Sequence, residues 1–139
     1  MYAARAQEFL AQGTASAPES LAYWVHEGTL DRNRSKFLAL LGQPWQAVEA
    51  ATSALARYEH TPCVHDYAHC AVILGTALVL AEEITEAARV LGDAASLSPR
   101  LTAELHATRI RMRPWANTHA VTTLDAQLEA YGLRPATCD

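Results

Sequence analysis

A chain of 139 residues is one domain long, and half of it is hydrophobic, enough to build a core. Its formal charge is −4, and Lys36 is the single lysine beside ten arginines. That balance argues against a sequence-independent nucleic-acid binder, which needs a basic surface. The longest apolar run, Cys70 to Ala81, has twelve residues, short of the roughly 20 that span a bilayer.

The elements read as helices throughout, because Ala and Leu dominate and β-branched runs are scarce. A first helix is expected over Tyr2 to Gln12, followed by the loop GTASAP. Pro18 and Glu19 suit a helix first turn. A second helix runs from there to about Glu27, where Gly28 stops or kinks it. A third covers Thr29 to Leu41. Gly42, Gln43 and Pro44 then make a tight turn into a fourth, Trp45 to Tyr58. The loop EHTPC precedes a fifth helix, Val64 to Ala81, which reads as fully buried. A sixth runs from Thr85, a plausible N-cap, to about Ser96. Ser98 and Pro99 start a seventh, reaching Met112, with Pro114 as its stop. Asn117 or Thr118 caps an eighth, ending near Tyr131 at Gly132. One domain over 1–133 and a short tail over 134–139 are expected.

A helical hairpin occurs twice, forty residues apart. The pairs Ala47 and Ala54, then Ala87 and Ala94, hold the same register, and Ala51 matches Leu91. A fixed internal period is the mark of stacked helical repeats. Antiparallel hairpins joined by short turns stack into an α-solenoid. The expected fold is therefore all-α: seven to eight helices in a short right-handed solenoid with a concave groove.

These repeats resemble the tetratricopeptide repeat. Leu41-Gly42, Ala47 and Ala54-Leu55 match its pattern in the first copy. Ala87, Ala94 and Pro99 match it in the second, with Gly75 at the small site. Glu82 stands where Gly is expected, and Ser35 where a small apolar residue is expected. The spacing also exceeds the family period of about 34. More specifically, AYWVHEGTL, LGQPWQA, LSPR and VTTLDAQLEAYGL resemble the C-terminal helical domain of actinobacterial helix-turn-helix transcriptional regulators. That resemblance implies a sensing or interaction part of a regulator whose DNA-binding domain lies elsewhere.

The densest polar cluster is HTPCVHDYAHC, with His60, Cys63, His65, Asp66, His69 and Cys70. His65 and His69 stand four apart, so a helix puts them on one face. A zinc site needs three or four converging ligands, and the spacing matches no standard motif. The alternative places both histidines at a helix edge and Cys70 in the core. No nucleophile elbow, HExxH or phosphate loop is present, so neither catalytic residues nor a cofactor are assigned. Arg100, Arg109, Arg111 and Arg113 fall within fourteen residues. They suit either an acidic peptide or anionic ligand, or pairing with Glu82, Glu83, Glu86 or Asp93. Trp45 and Trp115 are the aromatics expected to be partly exposed.

These readings lead to a non-catalytic interaction or effector-sensing module in the cytoplasm, where three unpatterned cysteines fit a reducing environment. A protein, peptide or small effector would lie in the groove. The first helix of each hairpin would line it, so Asn33, Arg34, Phe37, His65, Tyr67 and His69 join Arg109 and Arg113 as binding candidates. No direct nucleic-acid or membrane contact is expected. A homodimer through the Ala-rich helix Val121 to Tyr131 is a further expectation. A stand-alone adaptor, and a small metalloprotein built on His60 to Cys70, are the alternatives.

Overall fold

A computed structural model describes residues 27–133, and within them the chain is all-helical, with no strand. Six α-helices follow in order: α1 (Glu27–Leu40), α2 (Pro44–Tyr58), α3 (Val64–Leu80), α4 (Ile84–Leu97), α5 (Thr102–Arg111) and α6 (His119–Ala130). Two 3-10 turns, Pro99–Leu101 and Arg113–Trp115, flank α5. The helices expected over Tyr2 to Gln12 and Pro18 to Glu27 lie outside the described residues, Glu27 apart, as does the tail.

The repeat is visible in the turns. Gly42 N–H donates to the Ala39 carbonyl and Gln43 N–H to that of Leu38. Forty residues on, Glu82 N–H donates to Val79 and Glu83 N–H to Leu78. This paired closure satisfies carbonyls that a helix end leaves open, and it requires a left-handed residue. Gly42 supplies it at φ 72° and Glu82 at φ 62°. A third closure of the same kind ends α6, at Gly132 with φ 71°. The next helix then starts without a side-chain cap in both copies, at Pro44 and at Ile84. Thr85 is therefore inside α4 rather than its N-cap.

Other boundaries differ from the sequence expectation for local reasons. Gly28 neither stops nor separates a helix, since α1 runs through it from Glu27. Pro99 opens a 3-10 turn, and α5 begins only at Thr102. Thr118 does cap α6, accepting from Val121 N–H.

Packing follows the hairpins. Helix α1 pairs with α2, α2 with α3, and α3 with α4, while α3 also touches α1 and α5. The α1–α2 pair closes on small residues: Ala47, Ala50, Ala51 and Ala54 are buried. Ser35, at the small site of α1, is buried and donates its hydroxyl to the Ala47 carbonyl at 2.7 Å. Its counterpart is Gly75, which lies against Leu91. Helix α3 is the centre of the molecule, buried almost from Ala68 to Val79.

The last pair is arranged differently. Helix α6 packs mainly on α4, through Val121, Leu124 and Leu128, all of which enter the main core. These three side chains of the Ala-rich helix Val121 to Tyr131 are thus engaged within the chain. No helix among the described residues is long and apolar enough to cross a membrane.

Candidate functional site

Three helices, α1, α3 and α5, frame an open groove of about 380 Å³. From α1 come Ser35, Lys36 and Ala39; the floor is Val72, Ile73 and Ala77 of α3. Glu104, Ala107, Thr108 and Arg111 of α5 form the opposite wall. Their spacing of three, four and seven residues is one face of a helix. Helices α1 and α3 are the first helices of the two hairpins, whereas α5 does not pair with the helix that follows it.

Polar chemistry in the groove comes from few groups. Thr76 and Thr108 place their hydroxyl oxygens 2.8 Å apart. Each also reaches the carbonyl one turn back, Val72 and Glu104 respectively, at 3.0 Å. Two hydroxyl protons serve three acceptors, so one of these bonds is open at any moment. His69 lies at the groove's edge, its Nδ1 3.4 Å from the Arg32 guanidinium. Burial first, then the positive charges of Arg32 and Lys36, lower its pKa to about 4. The imidazole is therefore neutral at neutral pH.

Behind the groove is a polar layer between α1, α2 and α3. Arg32 lies 3.8 Å from Asp66, and its Nε is buried with no hydrogen-bond partner. Asp31, also buried, accepts from Arg57 at 2.9 Å and lies 3.7 Å from Arg34. Tyr58 meets Thr29 at 3.3 Å, and burial raises its phenol pKa. Cys70 is fully buried, and burial pushes its thiol up to about 11, which removes the thiolate needed for nucleophilic or redox work.

Of the residues singled out from the sequence, His69 and, from the arginine cluster, Arg111 line the groove. Arg34 borders a separate depression of about 320 Å³, with Leu38, Gln46 and Glu49. Phe37 is exposed, and neither it nor Asn33 lines either depression. His65 places Nδ1 3.0 Å from the Ser98 hydroxyl, tying the start of α3 to the end of α4. Tyr67 packs beside Tyr58 and Cys70. Arg109 holds Asp125 with two bonds, at 2.6 and 2.8 Å. Its partner is thus on α6, not α4, where Glu86 and Asp93 are engaged by Arg89. Arg113 falls in the 3-10 turn after α5, so it does not share a helix face with Arg109.

The polar cluster of α3 does not converge. No group of three His, Cys, Asp or Glu among the described residues could hold a metal ion. The rings of His65 and His69 are 6.5 Å apart and turned to different partners.

Lys36 is the groove cation that the sequence reading did not single out for binding. The forty-residue register offered a signal. Thr76 and Val72, on the groove side of α3, map back onto Lys36 and Arg32. Comparison with protein-family models, curated proteins and solved structures finds no match to this chain.

Proposed function

We propose that this chain is a non-catalytic interaction and effector-sensing module, built as a degenerate right-handed solenoid of tetratricopeptide-like hairpins. It would serve as the regulatory part of a cytoplasmic transcriptional regulator. The observation that carries the reading is the groove. It is open, floored by apolar side chains, and walled by α1, α3 and α5. Stacked helical repeats use such surfaces for partners. The forty-residue register of the two turns and of Ser35 with Gly75 supports the repeat assignment. A ligand seated against α1 and α5 at once would favour one spacing of these helices, and that bias is what an attached domain would read.

The test uses the purified chain as bait in extract of its own cells, beside the variant Lys36→Glu/Arg111→Glu. Both positions are exposed, so the variant should fold, which circular dichroism checks. A partner retained by the parent chain and lost by the variant supports the reading. A partner retained equally by both removes the groove as the binding surface.

A further inference from the structure

Among the described residues, the α1–α2 hairpin is the open end of the stack. Toward α3, α1 presents Lys36 and Ala39, and α2 presents Val48, Ala51 and Leu55. On the opposite side, at helical spacing, lie Arg34, Phe37, Leu38 and Leu41 of α1 and its turn, and Gln46, Glu49, Ala50 and Ser53 of α2. Phe37 is 54% exposed and Leu41 70%. The depression of about 320 Å³ runs between the two stripes. The forty-residue register shows what such a stripe does inside the stack. Its counterparts on α3 include Leu74 and Leu78, both buried in the core that α2 enters through Ala51. There a helical hairpin covers the stripe; on α1 the apolar positions stay open.

We infer that this face binds a second copy of the chain, hairpin against hairpin about a two-fold axis. Two features favour a copy of itself. The first is charge. The two stripes carry one cation and one anion, on the two sides of the depression. Arg34 lies 3.7 Å from Asp31, beyond hydrogen-bond length, so its donors remain to be used. Glu49 is exposed and forms no ion pair with another described residue. A two-fold axis through the depression sets Arg34 of each protomer against Glu49 of the partner subunit, so both charges are answered twice. The second is area. Two helices side by side, each about 20 Å long and about 10 Å across, present about 400 Å² in projection. Their ridged side chains raise the accessible area above that, so two copies would bury about 1,000 Å² in total, the threshold of a specific interface. The groove stays open in such a dimer, because it lies on the other side of α1, so the inference does not rest on what the groove binds.

The test is sedimentation equilibrium of the full chain at concentrations up to about 100 µM, where an interface of this size should be populated. The parent chain should be dimeric there, and so should Ile110→Glu, whose side chain is exposed on α5. Leu41→Glu, Arg34→Glu and Glu49→Arg should each weaken the dimer at least about tenfold. All three positions are exposed, and circular dichroism checks that the variants are folded. Mixing Arg34→Glu with Glu49→Arg in equal amounts should restore a dimer, because each variant supplies the charge that the other lacks. A monomeric parent chain overturns the inference and leaves the face to a different occupant, this chain's own residues 1–26 or another protein. A dimer that survives in all three variants overturns it as well, since another face then does the pairing. So does a mixture no more dimeric than its two components.

Discussion

Gly75 of α3 backs directly onto Leu91 of α4. A Cβ at position 75 would stand 2.7 Å from Leu91 Cδ2 and 2.8 Å from Cγ. The branch point of Leu91 is thus involved, and Leu91 is only 1% exposed, so it has nowhere to move. In the first hairpin the equivalent pair is Ser35 and Ala51, the larger residue having changed sides. Gly75→Ala should cost about 1–2 kcal/mol, since overpacking of about 1–3 kcal/mol outweighs the roughly 1 kcal/mol gain in helix propensity. Leu91→Ala alone should cost about 2–5 kcal/mol. Chemical denaturation of both single variants and the double variant checks the pairing. The double should be more stable than the sum of the two losses implies, and strict additivity would show that the residues do not oppose each other.

Glu82 holds a left-handed backbone that Gly42 holds without strain in the equivalent turn. A side chain in that region costs about 1–2 kcal/mol. Glu82→Gly should therefore stabilise the fold by about 1 kcal/mol, and Gly42→Ala should destabilise it by a similar amount. Nothing stands within 4 Å of a Cβ built at Gly42, so the loss there would be conformational rather than steric. Thermal unfolding of the two variants should move in opposite directions.

What the sequence made legible was local. The turn at Leu41-Gly42 and the buried alanines of α2 follow from short-range rules, and so does the Thr118 cap. The groove was read less well because the face of a helix depends on what it packs against. Arg34 and Phe37 look available on α1, yet α3 approaches on the side of Arg32, Ser35 and Lys36. Arg109 shows the same limit. Acidic residues of the preceding helix were the nearest partners in sequence, but α6 folds back across α4 and brings Asp125 instead. The 3-10 turn that carries Arg113 off the helix face has no local signal beyond Pro114, which also suits a plain helix stop.

Arg109 and Asp125 join α5 to α6 through a forked pair in which the arginine side chain is 12% exposed and the carboxylate 34%. The hydrogen bonding of the guanidinium to Asp125 is the main cause of a raised Arg109 pKa. Asp125→Ala leaves a largely buried guanidinium without its acceptor and should cost about 1–3 kcal/mol. Arg109→Lys keeps the charge but loses the fork, and should cost about 1 kcal/mol. Denaturation in low and in high salt separates this from a surface pair: the cost of Asp125→Ala should change little with salt, whereas a screened pair would lose most of its worth.

His69 makes stability depend on pH in a definite direction. Its folded pKa is about 4 against an ordinary 6.5, so the unfolded chain takes up a proton between those values that the folded chain refuses. Stability from this residue is complete above pH 6.5, declines as pH falls toward 4, and is constant below. The groups that act on the ring are Arg32 and Lys36 of α1, His65 of α3 and Glu104 of α5, and only Glu104 favours the proton. With solvent screening at this partly buried position, the loss across the window should be on the order of 1–2 kcal/mol. His69→Gln removes the titration, so the stability gap between the parent chain and the variant should shift by that amount between pH 7 and pH 4.5. Urea denaturation at the two pH values measures it. Parallel decline of the two proteins would mean that His69 takes up its proton in the folded state as readily as in the unfolded one, and that burial and the neighbouring cations do not hold the ring neutral.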